Sequence, residues 1–336
     1  MKNKILFLLF IVFILHFSCK KDEYQFNKTR NKYEKILIIN ADPKNGFYWP
    51  YVLYIPRNVK KTKEDLHFLI FPNNSDYSDN FEEHKISCVR KLSNRFAYFK
   101  DKELGFVGIS PIFPKWKNKM GGWKYYTHAL DRDTILYDKK ELKRLDMQLI
   151  KMIKDATDKI GKNLKLQMNK KVFMFGFSAS AHFVNRFSIL HPDLVKAYAI
   201  GGFNGHLMLP ISEYKGKKLI YPAGVYDYES ITSYTFNLNE YKNIDKYIYI
   251  GDKDTNNDVP FNDGYSKQEQ RLIQEIFGKL PENTPVANRL NNLKLIFKQY
   301  DLLQNTSLVL YNEVDHRITG EIYDDIREFY LKVKNE

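Results

Sequence analysis

The chain has 336 residues, enough for one or two domains with a sizeable core. Its content of 43% hydrophobic and 15% aromatic residues argues against a disordered protein. The net charge of +13 is spread along the chain without a basic run or a recognisable nucleic-acid-binding module, so no nucleic-acid partner is expected. A positive surface of this kind can still attract anionic surfaces or substrates.

Residues 1–18 are typical of a secretory signal peptide, because a lysine-bearing start precedes the apolar run from Ile5 to Leu15. The run is shorter than the about 20 residues that a membrane span needs. Ser18 followed by Cys19 resembles a bacterial lipobox. The sequence therefore predicts a lipoprotein of the cell envelope or cell surface, anchored in the membrane through Cys19, with residues 19–34 as a polar tether. An ordinary cleaved signal peptide or a short anchor is the alternative.

From residue 35 onward, short apolar runs alternate with segments of helical periodicity. This alternation predicts an α/β fold in which a mainly parallel central sheet carries helices on both faces. Near-continuous apolar strands such as KVFMFGF are typical of a sheet that is covered on both sides. The predicted strands are 33–39, 47–56, 66–71, 105–113, 171–177, 196–203, 246–251 and 307–311, and the predicted helices are 87–99, 141–156, 179–190 and a last one through Ile322 and Val333.

A candidate nucleophile, Ser178, lies where the buried strand 171–177 is predicted to turn into a helix. A tight strand-to-helix turn needs small neighbours, and Gly176 and Ser180 provide them. The pattern G-x-S-x-S differs only at its last position from the G-x-S-x-G nucleophile elbow. The helix that begins at Ala179 would also offer the Ala179 N–H and a positive dipole end to a developing oxyanion. A serine that only caps the helix is the alternative.

A serine hydroxyl needs a base before it can attack a carbonyl at neutral pH. The chain order of such sites is serine, then acid, then histidine. His316 follows the last predicted strand, 307–311, and precedes the last helix, so it has the position that this order requires. His191 lies one helix away from Ser178 and fits the order less well.

The motifs together resemble the α/β-hydrolase superfamily, in particular its secreted esterases and polyester depolymerases. The resemblance extends over about residues 35–335 and is carried by GFSAS, by the spacing from Gly251 to Asp254 after a strand, and by a late Asp-His before the last helix. It implies an α/β-hydrolase fold and a triad of Ser178, Asp254 and His316. The implied activity is that of a carboxylic ester hydrolase that works through an acyl-enzyme, with neither cofactor nor metal.

Other readings of the acidic loop remain open. Asp252 and Asp258 compete with Asp254 as the acid. The run from Asp252 to Asp263 also resembles a calcium loop, although Asn257 stands where such a loop has glycine and a strand precedes it instead of a helix.

The resemblance also implies a second oxyanion donor in the loop after the third strand, where Asn73 and Asn74 replace the usual His-Gly. Aromatic residues beside glycines in loops can form a stacking wall for a substrate, although they can equally pin long loops to the body of the protein. The predicted wall consists of Trp116, Trp123, Tyr126 and His206.

Residues 35–336 are predicted to form one domain with insertions around 114–140, 204–240 and 258–305. The last insertion is long enough for an inserted helical pair or a lid. The expected substrate is a small-molecule or polymer ester, whose identity depends on loop shape. A serine peptidase and a binding module on the same fold without turnover are the alternative functions.

Overall fold

The computed structural model describes residues 35–57, 59–61, 65–74, 80–101, 103–114, 116–117, 123–125, 127–257 and 266–336. The predicted signal peptide, the tether and Cys19 lie outside these residues, as do Tyr126, Asp258 and Asp263.

Strands and helices alternate along the described chain. The strands are β1 (Lys35–Ile39), β2 (Tyr51–Ile55), β3 (His67–Ile70), β4 (Phe106–Pro111), β5 (Trp116–Lys117), β6 (Trp123–Tyr125), β7 (Val172–Phe177), β8 (Val195–Gly201), β9 (Glu213–Tyr214), β10 (Lys217–Lys218), β11 (Asp245–Gly251) and β12 (Thr306–Tyr311). The helices are α1 (Phe81–Phe96), α2 (Arg132–Ile135), α3 (Leu145–Leu164), α4 (Ala179–Leu190), α5 (Tyr228–Thr232), α6 (Leu238–Lys242), α7 (Lys267–Phe277), α8 (Asn288–Gln299) and α9 (Gly320–Asn335), with short 3-10 helices at Pro43–Asn45 and Val59–Lys61.

Eight strands form one sheet in the order β1-β2-β4-β3-β7-β8-β11-β12. The pairs β1–β2 and β2–β4 are antiparallel, and the pairs from β4 to β12 are parallel. The predicted mainly parallel sheet is therefore confirmed. Because parallel strands end at the same edge, the loops after β7, β8, β11 and β12 meet at one edge of the sheet, where ligands bind in open α/β sheets.

Side chains of the central strands alternate between the two faces of the sheet, as the period of two requires. In β7, Val172 and Met174 join a core cluster shared with α3, α4 and α8, whereas Phe173 and Phe175 join the cluster shared with α1 and α9. The sheet thus has helices on both faces, which explains why its strands are almost uniformly apolar.

Two helix starts differ from those predicted. Helix α1 begins at Phe81 because the side chain of Asn80 accepts hydrogen bonds from the N–H groups of Glu82 and Glu83. Helix α3 begins at Leu145, since the preceding residue, Arg144, has a left-handed φ of 48° that interrupts the helical path. In the described part of the chain, no helix combines the length and the apolar character of a membrane span.

Candidate active site

Ser178 lies in the turn between β7 and α4, with φ at 59° and ψ at −131°. A positive φ is strained for any residue with a side chain, and such strain occurs preferentially at functional sites. The turn is held in place because the Ser178 N–H donates to the carbonyl of Gly201 at 2.9 Å. Gly176 must lack a side chain, since a Cβ there would lie 2.4 Å from the backbone oxygen of Ser180.

Ser180, the residue that departs from the elbow pattern, stabilises the same turn. Its hydroxyl accepts the N–H of Phe177 at 2.9 Å and donates to the carbonyl of Phe177 at 2.8 Å. The side chain is fully buried. A glycine at this position could not make these bonds, so the departure from the motif adds support to the turn that carries Ser178.

His316 and Asp254 lie in contact in the loops after β12 and β11. The Nδ1 of His316 is 2.9 Å from Oδ2 of Asp254. Asp254 is buried, and its other oxygen accepts the backbone N–H of Asn256 at 2.9 Å. With a carboxylate as the partner, Nδ1 carries the proton and Nε2 is left as the acceptor. This tautomer is the one that a general base needs.

The His316 ring lies beside the Ser178 turn. Its centroid is 4.8 Å from that of Phe177, the residue before Ser178. A Cβ on Gly202 would lie 3.0 Å from Cε1 of His316, and the neighbouring Gly201 carbonyl accepts the Ser178 N–H. The backbone at the end of β8 therefore contacts both the serine turn and the histidine.

Asn256 occupies the accepting nitrogen of His316. Its Nδ2 lies 3.2 Å from Nε2 of the ring. The bond agrees with the tautomer above, because an amide N–H can donate only to an unprotonated nitrogen. Sequence reasoning placed Asn256 only among the alternating residues of the possible calcium loop and gave it no role beside His316.

The loop after β3 also approaches the serine turn. The side chain of Asn74 donates from Nδ2 to the carbonyl of Phe177 at 2.8 Å. The buried side chain of Asn73 accepts from the N–H of Phe113 at 3.1 Å and donates to its carbonyl at 3.3 Å. The described bonds of both side-chain amides fix the loop, which leaves its backbone N–H groups as the candidates to join that of Ala179 in an oxyanion hole. The Ala179 N–H belongs to the first turn of α4, where no intrahelical acceptor exists.

Asp252 and His191 make their described bonds elsewhere. Asp252 donates its N–H to the carbonyl of Tyr311 and makes no described bond to His316. His191 pairs instead with Asp146, at the other end of α4. Trp116 and Trp123 belong to the β5–β6 hairpin, and His206 is buried in the loop after β8. Among the described residues, no group of three or more His, Cys, Asp or Glu side chains could hold a metal ion.

No family model matches the chain, and no curated protein is similar to it in sequence. The solved structure of poly(aspartic acid) hydrolase-1 from Sphingomonas sp. KT-1 matches with a TM-score of 0.53 at 14% identity, over 90% of this chain and 99% of that one. The chain has the α/β-hydrolase fold. A poly(3-hydroxybutyrate) depolymerase from Bordetella parapertussis gives a TM-score of 0.49 at 14% identity, over 84% of each chain.

Proposed function

We propose that this protein is a serine hydrolase that cleaves carboxylic esters, with Ser178 as nucleophile, His316 as general base and Asp254 as the acid that orients His316. The observation that carries the proposal is the 2.9 Å contact of His316 Nδ1 with Asp254, made beside a serine on a strained strand-to-helix turn. The nucleophile, acid and base follow each other in the chain in the order known for this fold.

In the first half of the reaction, Oγ of Ser178 attacks the ester carbonyl while Nε2 of His316 takes the hydroxyl proton. The Ala179 N–H and a backbone N–H of the Asn73–Asn74 loop stabilise the negative oxygen. His316 then returns the proton to the departing alcohol, and the acyl group stays on Ser178. In the second half, His316 activates water, which releases the acid and restores the serine. Because Asn256 bonds to Nε2, the Ser178 hydroxyl must replace Asn256 there before the attack.

A fluorophosphonate probe tests the activated serine, because it reacts only with a nucleophile of this kind. We expect labelling of the peptide that contains GFSAS, at Ser178. Ser178→Ala should abolish both the labelling and the hydrolysis of short acyl esters, while the melting temperature stays close to that of the wild type. Ser180→Ala is the matched control. Because the buried Ser180 hydroxyl bonds only to the backbone of Phe177 in the described structure, this substitution should leave Ser178 as the labelled residue.

Three results would contradict the proposal in different ways. Wild-type turnover in Ser178→Ala would remove the serine mechanism. Labelling of Ser178 without hydrolysis of any ester, but with cleavage of peptide substrates, would make the protein a serine peptidase. Neither labelling nor turnover in the folded protein would leave a binding module on the α/β-hydrolase fold.

We also propose that the enzyme is held at the cell envelope or cell surface by a lipid on Cys19. The support is the apolar run of residues 5–15 followed by Ser18 and Cys19. Mass spectrometry of the mature N-terminal peptide should find an acylated Cys19 as the first residue, and Cys19→Ala should abolish the acylation. A mature chain that starts at another residue and carries no lipid would refute this location.

A further inference from the structure

A buried arginine, Arg289, connects three segments near the proposed site. It lies on α8 and is 1% exposed. Its Nη1 donates to Oδ1 of Asn257 and to the carbonyl of Asn204, each at 2.9 Å. Its Nε donates to the carbonyl of Gly278, just after α7, at 3.3 Å. Because Nη1 of a guanidinium carries two hydrogens, it can make both of its bonds at once.

Asn257 belongs to the loop of the proposed acid, where it follows Asp254 by three residues. The backbone of this loop is held a second time, since the carbonyl of Asp254 accepts the N–H of Val286 at 2.8 Å. Val286 and Arg289 belong to one turn, because the Arg289 N–H donates to the Val286 carbonyl at 2.9 Å. This turn, which leads into α8, therefore contacts both ends of the segment from Asp254 to Asn257.

The same turn packs closely against the loop after β8. A Cβ on Gly205 would lie 2.4 Å from the carbonyl oxygen of Val286 and 2.8 Å from Cβ of Arg289. Gly205 also has a positive φ of 79°, which glycine adopts readily. At its other end this loop bonds the proposed nucleophile, because the Gly201 carbonyl accepts the Ser178 N–H at 2.9 Å. The loop after β8 thus contacts both the serine turn and the turn that carries Arg289.

The contact between the proposed acid and base depends on where their loops are held. Oδ2 of Asp254 is 2.9 Å from Nδ1 of His316, and a hydrogen bond weakens steeply when its angle departs from linearity. Both residues lie in loops, which are generally more mobile than the strands that they follow. A contact of this kind needs support from residues that are themselves fixed by packing and hydrogen bonds. Arg289 meets this requirement, because it is buried and bonds to three segments.

We propose that Arg289 is a positioning residue of the site. Through Asn257 it holds the loop of Asp254 against the loop after β8, and it thereby keeps the Asp254–His316 contact aligned with Ser178. The effect on turnover rests on the proposed ester hydrolysis, whereas the effect on the Asp254–His316 contact does not. Because Arg289 acts on the acid loop and not on the substrate, its loss should lower kcat and leave KM nearly unchanged.

Two variants break the bond between Arg289 and Asn257 from opposite sides. Arg289→Met removes the donors and keeps an unbranched, flexible side chain in their place. Asn257→Ala removes only the acceptor in the acid loop. For hydrolysis of a short acyl ester, kcat should fall about 10–100-fold in Arg289→Met and about tenfold in Asn257→Ala, the range for a hydrogen bond to a charged group. The double variant should lose no more than Arg289→Met alone, because both changes break the same contact.

A conservative variant and a control separate positioning from a general loss of stability. Asn257→Asp keeps an acceptor for the guanidinium, so kcat should stay within about twofold of the wild type. Arg144→Met is the control, since Arg144 bonds Asp146 and the Ile231 carbonyl at the end of α4 that is remote from Ser178. It should lower the melting temperature and leave kcat unchanged. A melting curve for each variant shows whether it is folded at the assay temperature.

Proton NMR measures the Asp254–His316 contact itself, without any substrate. The Nδ1–H of His316, bonded to a carboxylate, should give a resonance far downfield that is assigned by its loss in Asp254→Asn. We expect Arg289→Met and Asn257→Ala to shift or broaden this resonance and Arg144→Met to leave it in place. If the wild type hydrolyses no ester, the proposed function fails, while the resonance still tests the role of Arg289.

Three results would overturn the inference. The first is a resonance that stays unchanged in Arg289→Met and Asn257→Ala. The second is a double variant in which the two losses of kcat add, because Arg289 would then act independently of Asn257. The third is an Arg144→Met variant that changes the resonance or kcat as much as Arg289→Met. If Arg289→Met does not fold, the resonance in Asn257→Ala and the turnover of Asn257→Asp decide the question.

Discussion

The described residues contain two Asp–His pairs, and exchanging each acid for asparagine should separate their roles. Asp254–His316 lies near Ser178, at the start of α4, whereas Asp146–His191 lies at the end of that helix. Asp146 is fully buried and accepts from Nε2 of His191 at 2.8 Å and from Nη2 of Arg144 at 2.7 Å. No serine, threonine or cysteine hydroxyl or thiol is described in contact with that pair. We expect Asp146→Asn to cost stability and Asp254→Asn to cost catalysis.

The magnitude for Asp146 follows from its burial and its partners. Burial raises the pKa of this carboxyl, but the hydrogen bonds and charges of His191 and Arg144 outweigh it and lower the pKa from 3.8 to about 2. Removing one partner of a buried ion pair costs about 3–5 kcal/mol. Asparagine keeps one acceptor, so we expect a loss of about 3 kcal/mol at pH 7, or a melting temperature lower by roughly 5–10 °C.

The dependence on pH gives a second measurement of the same pair. A carboxyl whose pKa is lower in the folded protein stabilises it fully above the unfolded pKa of about 4 and loses this effect as the pH falls through the folded value. Between about pH 4 and pH 2 the contribution of Asp146 should therefore decline by about 2 kcal/mol. Urea unfolding of the wild type and of Asp146→Asn across this range should show the two free energies of unfolding converging at acid pH.

The catalytic side of the comparison uses ester turnover at 25 °C. Asp146→Asn should keep turnover within about twofold of the wild type, because its pair lies a whole helix away from Ser178. Asp254→Asn should lower kcat/KM on the order of 10³–10⁴-fold at nearly unchanged stability, since His316 loses the acceptor that fixes its tautomer. A calcium chelator should leave wild-type activity unchanged. Activity that is lost in Asp146→Asn and kept in Asp254→Asn would refute the assignment of Asp254 as the catalytic acid. Activity that vanishes with chelator and returns with calcium would make the run from Asp252 to Asp263 a metal site.

Two further variants test the serine turn and its neighbour. Gly176→Ala places a Cβ 2.4 Å from the backbone oxygen of Ser180, so the free energy of unfolding in urea should fall by about 2 kcal/mol or more. Gly320→Ala is the control, because a Cβ there has nothing within 4 Å. Equal losses of stability in the two variants would contradict the role of the turn. Asn256→Ala removes the competitor for Nε2 of His316, so fluorophosphonate labelling of Ser178 should become about 2–10 times faster. That factor corresponds to the free energy of one hydrogen bond. Slower labelling would show instead that Asn256 assists the base.

The fold and the triad candidates were predictable because the information is carried by local pattern and chain order. Alternating apolar runs predicted the parallel sheet, and parallel strands end at one edge. Asp254 and His316 are 62 residues apart in sequence, yet they follow β11 and β12, which pair directly in the sheet. Their contact is thus a consequence of topology, which the order of motifs already contains. Asp252 and Asp254 are only two residues apart in the loop after β11, so the sequence could not decide firmly between them. The structure shows that the side chain of Asp254 contacts the His316 ring.

The parts of the site that sequence reasoning missed depend on backbone conformation and on burial. Ser180 looked like a departure from a motif, but its hydroxyl bonds to Phe177 only because the turn brings position 180 back over position 177. Asn256 looked like one of several loop asparagines.

The helical pair between β11 and β12 supports two loops near the proposed site. Just before α8, the Val286 N–H donates to the carbonyl of Asp254 at 2.8 Å. One turn later, Nη1 of Arg289 donates both to Oδ1 of Asn257 and to the carbonyl of Asn204, each at 2.9 Å. The same helix end therefore fixes the loop of the proposed acid and the loop after β8. Because one buried guanidinium bridges them, a change in the length or packing of this insertion should move both loops together.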